Sequence, residues 1–306
     1  MQNKIDKLNF AFWGTPDVAS ETLEILKENG YMPSLIITSP DAKRGRGLYL
    51  QASPVALFAE QNKIPCLKPE KLTDGKKEEI YNVLRTLGRS DGDGQRKFSA
   101  ENFRGEQNII DFFLIVAYGK ILPEKIINMP KFGSINIHYS LLPKYRGASP
   151  VESAILNGET ETGVTIQKMA FKLDSGPIMA QEKVAILSDE KAPELRQRLI
   201  KLGGELLVKI LQTPSASGHS PFTGGEEQDE SKATYCKKIN KEDGLLNLND
   251  EAVKNYNKFR AYASWPRTFF FKNGKRVIIT KVRLENNKFI IEKIIPENGK
   301  EINYIA

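Results

Sequence analysis

The stretch FFLIVAYGKILPEKIINMPKFGSINIH, residues 112–138, decides the fold class. Its first six residues are apolar and predict a buried strand, residues 123–129 predict a short helix, and residues 133–138 predict a second strand. This order of elements is typical of parallel sheets that are covered by helices on both faces. The sequence therefore predicts an α/β protein with a mostly parallel, Rossmann-like sheet.

The segments before this stretch follow the same rhythm. Residues 8–13 have the pattern of a buried strand, and Asp17 is expected to cap a helix that runs to Glu28. Residues 34–38 predict another strand, and Ser53 is expected to begin a helix with Pro54 in its first turn. Alternating strands and helices thus extend from the first residues to His138.

The segments after it predict three regions. Residues 1–211 form the catalytic domain, which also includes a helix at 150–156, strands at 164–169 and 178–186, and a helix at 192–211. Residues 212–231 collect Pro, Ser, Gly and acids and predict a linker. Residues 232–306 contain one helical segment and several strand-like runs, which predict a small C-terminal β-barrel of the oligonucleotide-binding type.

The positive charge is concentrated in this last region. Of the 45 basic and 38 acidic residues in the chain, 16 basic and 8 acidic residues fall in 232–306, which leaves 29 and 30 for the rest. A basic module attached to a neutral one favours a polyanion held beside an active site. A lysine-rich solubilising surface explains the composition equally well.

Composition excludes several other classes of protein. No apolar run approaches the roughly 20 residues that span a bilayer, and the first residues lack the apolar core of a secretory signal. We therefore expect a cytoplasmic protein without membrane contact. Cys66 and Cys236 lie far apart and form no metal-ligand cluster, so no metal is expected.

Asn136, His138 and Asp174 are the candidate catalytic residues. In a strand, alternate side chains share a face, so Asn136 and His138 point to the same side. A carboxamide can donate a hydrogen bond to a developing oxyanion, and a histidine can move a proton near neutral pH. Asp174, in Leu173-Asp-Ser-Gly176, supplies a carboxylate on a tight turn. The three residues suit acyl-type transfer without a metal. Each also has a purely structural explanation as a hydrogen-bonded core or turn residue.

The segments around these residues resemble methionyl-tRNA formyltransferases, which belong to the formyltransferases that use 10-formyltetrahydrofolate. The resemblance lies in Asn136-Ile-His138, in SLLPKYRG at 140–147, and in GVTIQKM at 163–169 before Leu173-Asp174. It extends to FWGTPD at 12–17, AYGKILP at 117–123 and SWP at 264–266, and so covers nearly the whole chain.

The resemblance implies transfer of the formyl group from 10-formyltetrahydrofolate to the amino group of methionyl-initiator tRNA. Asn136 and a protonated His138 would stabilise the oxyanion of the tetrahedral intermediate, and Asp174 would orient His138. For the folate, the resemblance implies two groups of binding residues. The first is Ser140, Leu141, Leu142 and Pro143. The second is Tyr118 and Leu122, which lie at the ends of a segment that is expected to bind largely through its backbone groups.

The loop at 39–47 resembles the family's insertion that enters the acceptor end of the tRNA. Lys43, Arg44 and Arg46 are the candidate tRNA-binding residues, because they can neutralise phosphates. The expected partners are therefore charged initiator tRNA and the folate, and we expect the enzyme to be a monomer.

The chain departs from the family pattern in three places. Ala170-Phe171-Lys172 replaces residues that more often include an acid and a glycine, and Tyr139 occupies a position that is often small. Residues 88–108 resemble an insertion whose expected role is a mobile surface loop or an RNA contact.

Three alternative functions remain open. They are formylation of an amino-sugar nucleotide, hydrolysis of the formyl folate, and RNA binding by an inactive protein on the same scaffold.

Overall fold

The computed structural model describes residues 8–44, 47–70, 72, 110–213, 222 and 224–305. Their contacts divide the chain into two compact units. Unit 1 takes the described residues up to His138, then 165–181 and 200–228, and unit 2 takes 139–164, 182–199 and 229–305. The chain therefore passes between the units several times. The predicted insertion at 88–108 lies outside the described residues.

The elements follow one another as short strands and helices. The helices are α1 (Asp17–Glu28), α2 (Pro54–Gln61), α3 (Glu124–Ile127), α4 (Pro150–Leu156), α5 (Ala192–Gln212) and α6 (Ala252–Ala261). The first ten strands are β1 (Phe10–Gly14), β2 (Leu35–Ile37), β3 (Ala42–Arg44), β4 (Tyr49–Gln51), β5 (Cys66–Leu67), β6 (Phe112–Val116), β7 (Ser134–His138), β8 (Arg146–Gly147), β9 (Glu161–Lys168) and β10 (Ile178–Ala185). The last five are β11 (Tyr235–Cys236), β12 (Phe269–Lys272), β13 (Lys275–Glu285), β14 (Lys288–Pro296) and β15 (Ile302–Asn303).

The main sheet has seven strands in the order β10-β9-β7-β6-β1-β2-β5. The pairs β7–β6, β6–β1, β1–β2 and β2–β5 are parallel, and β9 runs antiparallel to β7. The predicted mostly parallel α/β sheet is thus confirmed. Strand β7, which carries Asn136 and His138, lies inside the sheet with a neighbour on each side.

Aromatic and branched residues fill both faces of the sheet in unit 1. On one face, Trp13 and Phe113 pack with Tyr118 and with apolar residues of α3 in a buried cluster. On the other face, the rings of Phe10 and Phe112 stack 5.1 Å apart, and Phe222 packs against Phe112. Burial on both faces explains why these strands are nearly continuous apolar runs.

The two predicted helix starts have different outcomes. Ser53 caps α2, because its side chain accepts a hydrogen bond from the backbone N–H of Ala56, and Pro54 follows as expected. The prediction that Asp17 caps α1 is wrong: Pro16 is the N-cap residue, and Asp17 lies in the first turn. A carboxylate there still favours the helix, because it faces the positive end of the helix dipole.

Unit 2 contains the C-terminal region for which a small β-barrel was predicted, and its observed core is an antiparallel sheet. Strands β12, β13, β14 and β15 form a four-stranded antiparallel sheet. Its core is an apolar cluster that includes Phe259 of α6, Phe270 and Ile279. Two short strands, β8 and β11, pair in parallel within the same unit. None of the helices in the described part of the chain combines the length and apolar character needed to cross a membrane.

Candidate active site

Strand β7 displays the first two candidate residues at its carboxyl end. Ile135 and Ile137 are buried on one side of the sheet, whereas Asn136 and His138 belong to the other. Asn136 lies opposite Ile115 of β6 and Gln167 of β9, and His138 lies opposite Thr165. In parallel sheets, ligands bind outside the carboxyl ends of the strands, which is where His138 ends its strand.

His138 and Asp174 lie close together in unit 1. The distance from His138 Nδ1 to Asp174 Oδ2 is 3.7 Å, and the His138 residue is 5% exposed. This separation is that of an ion pair and is too long for a direct hydrogen bond. A carboxylate at this distance can orient the imidazole.

Asp174 is held on a turn that only a few sequences allow. Its φ is +47°, a left-handed conformation that aspartate tolerates better than most residues. A Cβ at Gly176, two residues on, would clash with the carbonyl oxygen of Lys168. Asp174 therefore suits the left-handed backbone conformation of this turn, and Gly176 allows the turn to approach β9 closely.

Two glutamines that the sequence analysis missed hold Asp174. Gln167 Nε2 donates to Asp174 Oδ1 at 3.1 Å. The buried Gln228 donates from Nε2 to the backbone oxygens of Asp174 at 2.9 Å and Gly176 at 2.7 Å. Gln167 lies in the GVTIQKM motif, so the family resemblance could have identified it as a residue of the site. Gln228 lies in the predicted linker, and its surroundings gave no signal.

Tyr118 and Leu122, two of the predicted folate residues, are core residues in unit 1. Each is 3% exposed and belongs to the cluster around Trp13, whose ring meets Tyr118 edge-on at 5.2 Å. Burial raises the pKa of Tyr118, so its hydroxyl stays protonated. Within the same segment, Gly119 and Ile121 are exposed. A ligand can therefore reach Gly119 and Ile121, whereas the side chains of Tyr118 and Leu122 are buried. That this segment lines the folate pocket stays a prediction.

The carboxyl ends of β1, β2 and β6 are joined by hydrogen bonds. Thr15 Oγ1 donates to the Tyr118 carbonyl oxygen at 3.3 Å and lies 3.1 Å from Ser39 Oγ. Thr38 and Ser53 share a buried hydrogen bond of 2.8 Å beside them. These bonds fix the loops that leave the sheet on the side where β7 ends.

The other predicted folate residues, Ser140 to Pro143, belong to unit 2. Ser140 and Leu142 are buried, and Ser140 Oγ donates to the carbonyl oxygen of Lys144 at 2.6 Å. Leu141 and Pro143 are partly exposed. The segment is thus a tight turn closed by its own hydroxyl, with two of its four side chains open to a ligand.

The segment after this turn is held firmly within unit 2. The Tyr145 hydroxyl donates to Glu159 Oε1 at 2.8 Å and accepts from Asn157 Nδ2 at 3.0 Å. Arg146 is fully buried, and its Nη2 lies 2.7 Å from Glu230 Oε1. These bonds anchor the carboxyl end of the SLLPKYRG motif.

The predicted tRNA loop contains a hairpin in unit 1. Lys43 and Arg44 lie on β3, which pairs antiparallel with β4. The Lys43 side chain is exposed, as are those of Leu48, Tyr49 and Leu50. Arg46 lies outside the described residues. The sequence predicted a basic loop here, whereas the two strands and their exposed apolar side chains were not predicted.

Metal ligands are not clustered in the described ranges. No group of three or more His, Cys, Asp or Glu side chains is placed there to hold an ion. That the reaction proceeds without a metal stays a prediction.

The fold is that of the formyltransferase class, in which a parallel sheet carries an Asn-x-His strand and a separate β module follows. The profile of the formyl transferase family matches residues 7–211, and that of its C-terminal domain matches residues 238–303. The chain belongs to the formyl transferase family.

Its relatives narrow this class. It is 38% identical over 270 residues to a methionyl-tRNA formyltransferase of Thermotoga sp. strain RQ2. The matched region covers 88% of this chain and 77% of the relative. It is 36% identical over 301 residues to the methionyl-tRNA formyltransferase of Thermotoga maritima, covering 97% and 84% of the two chains.

Two solved structures share the fold at lower identity. The methionyl-tRNA formyltransferase of Clostridium thermocellum has a TM-score of 0.56 and 13% identity, with 97% of this chain and 100% of that chain covered. An N-formyltransferase of Helicobacter canadensis, solved with folinic acid and dTDP-3-aminofucose, has a TM-score of 0.62 and 20% identity, with 95% and 94% covered. The fold alone therefore does not distinguish a tRNA from a sugar nucleotide.

Proposed function

We propose that this protein is a methionyl-tRNA formyltransferase, which transfers the formyl group of 10-formyltetrahydrofolate to the amino group of methionine on charged initiator tRNA. The observation that carries the proposal is the pair of the buried His138 and Asp174, 3.7 Å apart, with Asn136 on the same strand as His138. Relatives that span most of the chain and bear the same enzyme name support it.

Asn136 has the chemistry to stabilise the intermediate. The amino group attacks the formyl carbon, and negative charge develops on the formyl oxygen. The Asn136 carboxamide carries an N–H donor on a rigid inner strand, so it is preorganised for this oxygen. One such donor contributes about 10²–10³ in rate.

His138 and Asp174 have the chemistry to move the proton. The attacking amine must lose a proton, and the leaving folate nitrogen must gain one. The imidazole can accept a proton from one nitrogen and return it to the other, and Asp174, with Oδ2 3.7 Å from Nδ1, can orient the ring for both transfers. Gln167 and Gln228 are positioning residues that act through Asp174.

The folate is proposed to bind against two segments. In unit 1 the segment from Tyr118 to Leu122 offers backbone groups and exposed side chains, and in unit 2 Ser140 to Pro143 offers Leu141 and Pro143. Both segments are fixed by hydrogen bonds or core packing, so ordering them on binding costs little.

The tRNA is proposed to bind through basic surfaces. Lys43, Arg44 and Arg46 would contact the acceptor end, and the basic residues of 232–306 would attract the phosphate backbone. We further propose that residues 1–211 form the catalytic domain, residues 212–231 a linker and residues 232–306 the tRNA-binding domain. The enzyme is proposed to be a monomer and to be located in the cytoplasm, where translation begins.

One assay tests the proposal against its main competitor. Single-turnover formylation is measured with methionyl-initiator tRNA, with uncharged tRNA and with a dTDP-amino sugar. We expect rapid transfer to the charged tRNA alone. Preferential transfer to the amino sugar would replace the proposal with a sugar N-formyltransferase.

A further inference from the structure

Unit 2 contains a cavity of 210 Å³ to which no role has yet been given. Its walls come from the residues at the start of α5, from the last turn of α6 and the segment that follows, and from β13. Phe259 and Ile279 contribute apolar wall, whereas Tyr262 and Thr268 contribute polar groups. The volume is enough for a small ion with part of its hydration shell.

Thr268 gives the first sign of a ligand. The residue is 2% exposed, and its hydroxyl is buried without a hydrogen-bond partner in the structure. Most buried hydroxyls have a partner, because leaving one unsatisfied costs about 1–3 kcal/mol. A hydroxyl of this kind in the wall of a cavity indicates that the cavity receives a polar molecule.

The charge around the cavity indicates which kind. Lys191 and Arg267, both half-buried, are the basic residues of its wall, and Pro193 brings in the first turn of α5, which starts at Ala192. The start of a 21-residue helix carries partial positive charge. Burial raises the pKa of Tyr262 to about 12, so this residue also keeps its proton and can donate it.

Several carboxylates act against an anion here, among them Asp243 and Glu152, which interact with Tyr262. Glu194, in the first turn of α5, accepts a hydrogen bond from the backbone N–H of Lys191 at 2.8 Å. Glu301 interacts electrostatically with Arg267. The Glu301 carboxylate pairs with Lys293 at 3.4 Å and acts on Arg267 through its charge alone, so neutralising Glu301 should strengthen the binding of an anion.

We propose that this cavity binds an oxyanion of the phosphate type through Thr268, Arg267 and Lys191. The natural occupant is a backbone phosphate of the bound RNA, which gives the basic C-terminal region one fixed contact among its many diffuse ones. This second statement rests on the proposed function, whereas binding of the oxyanion does not.

The first experiment uses inorganic phosphate and the full chain. Thermal unfolding is followed as phosphate replaces chloride at constant ionic strength, and ³¹P line broadening measures binding directly. We expect a saturable rise in Tm of about 5 °C at high occupancy. Arg267→Gln should weaken phosphate binding by about tenfold or more, because a charge-assisted hydrogen bond is lost.

Thr268→Val separates binding from folding. It keeps the shape of the side chain but removes the unpartnered hydroxyl, so Tm in chloride should rise while phosphate binds about tenfold more weakly. Glu301→Gln should bind phosphate more tightly. Lys275→Gln, an exposed basic position of the same unit outside the cavity, is the matched control and should bind like wild type. Absence of saturable binding, or equal affinity in all variants, overturns the proposal.

The second experiment identifies the occupant. Binding of methionyl-initiator tRNA is measured across a salt series for wild type, Arg267→Gln and Lys275→Gln, with free phosphate as a competitor. A backbone phosphate in the cavity predicts weaker binding and a shallower salt slope, reduced by about one, for Arg267→Gln beyond any change in the control. If phosphate binds but the tRNA slopes are equal, free phosphate is the ligand and the RNA assignment is wrong. Failure of wild type to formylate this tRNA would instead refute the proposed function.

Discussion

The carboxamide of Gln167 donates a hydrogen bond to Asp174, with 3.1 Å between Nε2 and Oδ1. The other carboxylate oxygen, Oδ2, is therefore the one that lies near His138. A side chain on β9, at the position opposite Asn136, thus helps to decide which way the carboxylate turns. Positioning of this kind sustains the geometry that catalysis needs.

The first prediction concerns this positioning. Gln167→Leu should lower kcat by about tenfold and leave the KM for tRNA unchanged, because it frees Asp174 to rotate. Gln167→Glu should be worse, since it sets a second negative charge against Asp174. Gln181→Leu, which removes a hydrogen bond to Thr165 in the same unit, is the control. Full activity in Gln167→Leu would show that Asp174 is held by its turn alone.

The second prediction concerns the three candidate catalytic residues. Asn136→Ala, His138→Ala and Asp174→Asn should each lower the single-turnover rate by about 10² or more. Circular dichroism should show the fold intact, and combined losses should be less than multiplicative because the residues act as a unit. Near-normal turnover in any one variant removes that residue from the mechanism.

The third prediction concerns the turn that carries Asp174. Gly176→Ala should destabilise the protein by about 2 kcal/mol or force the turn to move, because its Cβ would meet the Lys168 carbonyl oxygen. Urea unfolding and the formylation rate measure the two results. Ser175→Ala, at a partly exposed neighbouring position where only a hydrogen bond to the Lys172 carbonyl oxygen is lost, is the control and should change both much less.

The fourth prediction concerns pH. The hydrogen bond from Tyr145, followed by Lys144, holds the pKa of Glu159 below its usual value. A carboxylate with a lowered folded pKa stabilises the protein above its unfolded pKa, and this stability is lost as the pH falls through the folded value. Tyr145→Phe should therefore cost about 1 kcal/mol more unfolding free energy at pH 7 than below the folded pKa of Glu159, where only the loss of the hydrogen bond from Asn157 remains. An equal cost at both pH values would contradict the charge-assisted bond.

The fifth prediction separates the two basic surfaces. Removing residues 232–306 would be a poor test, because unit 2 would lose β11 from its pair with β8 and helix α6 from its packing against α4. Neutralising exposed Lys237 and Lys238 with glutamine keeps the fold. We expect these changes to flatten the salt dependence of tRNA binding.

Neutralising the loop should have a different effect. Replacing Lys43, Arg44 and Arg46 with alanine should depress formylation of charged tRNA and erode discrimination among tRNAs, while folate binding stays unchanged. Single-turnover rates across a salt series compare the two variants with wild type. Identical rates and salt slopes in all three would leave a small amine as the substrate.

The sheet could be predicted from the sequence because its strands have a clear hydrophobic pattern. Strands such as β6 and β1 are buried on both faces, so each is a short, continuous apolar run that is hard to mistake. The β3–β4 hairpin gave no such signal, since its exposed strands show neither alternation nor burial. At α1, proline took the cap position that a side-chain oxygen usually takes, which is why the Asp17 cap was wrong.

The candidate site was predictable only in part for a related reason. Asn136 and His138 share one strand, so their spacing alone places them on one face. Gln228 lies 61 residues from Gln167, in a stretch whose composition is that of a linker, and only tertiary structure brings its carboxamide to Asp174. Local patterns carry no information on contacts of this range.

The repeated passage of the chain between the two units has a consequence for synthesis. Residues 139–164 pair and pack with partners that lie after residue 229, namely β11 and α6. A ribosome adds about 5–20 residues per second, so the turn that follows His138 waits several seconds for its final neighbours. During that interval residues 139–164 lack their partners, and a message cut short before its last quarter cannot complete unit 2.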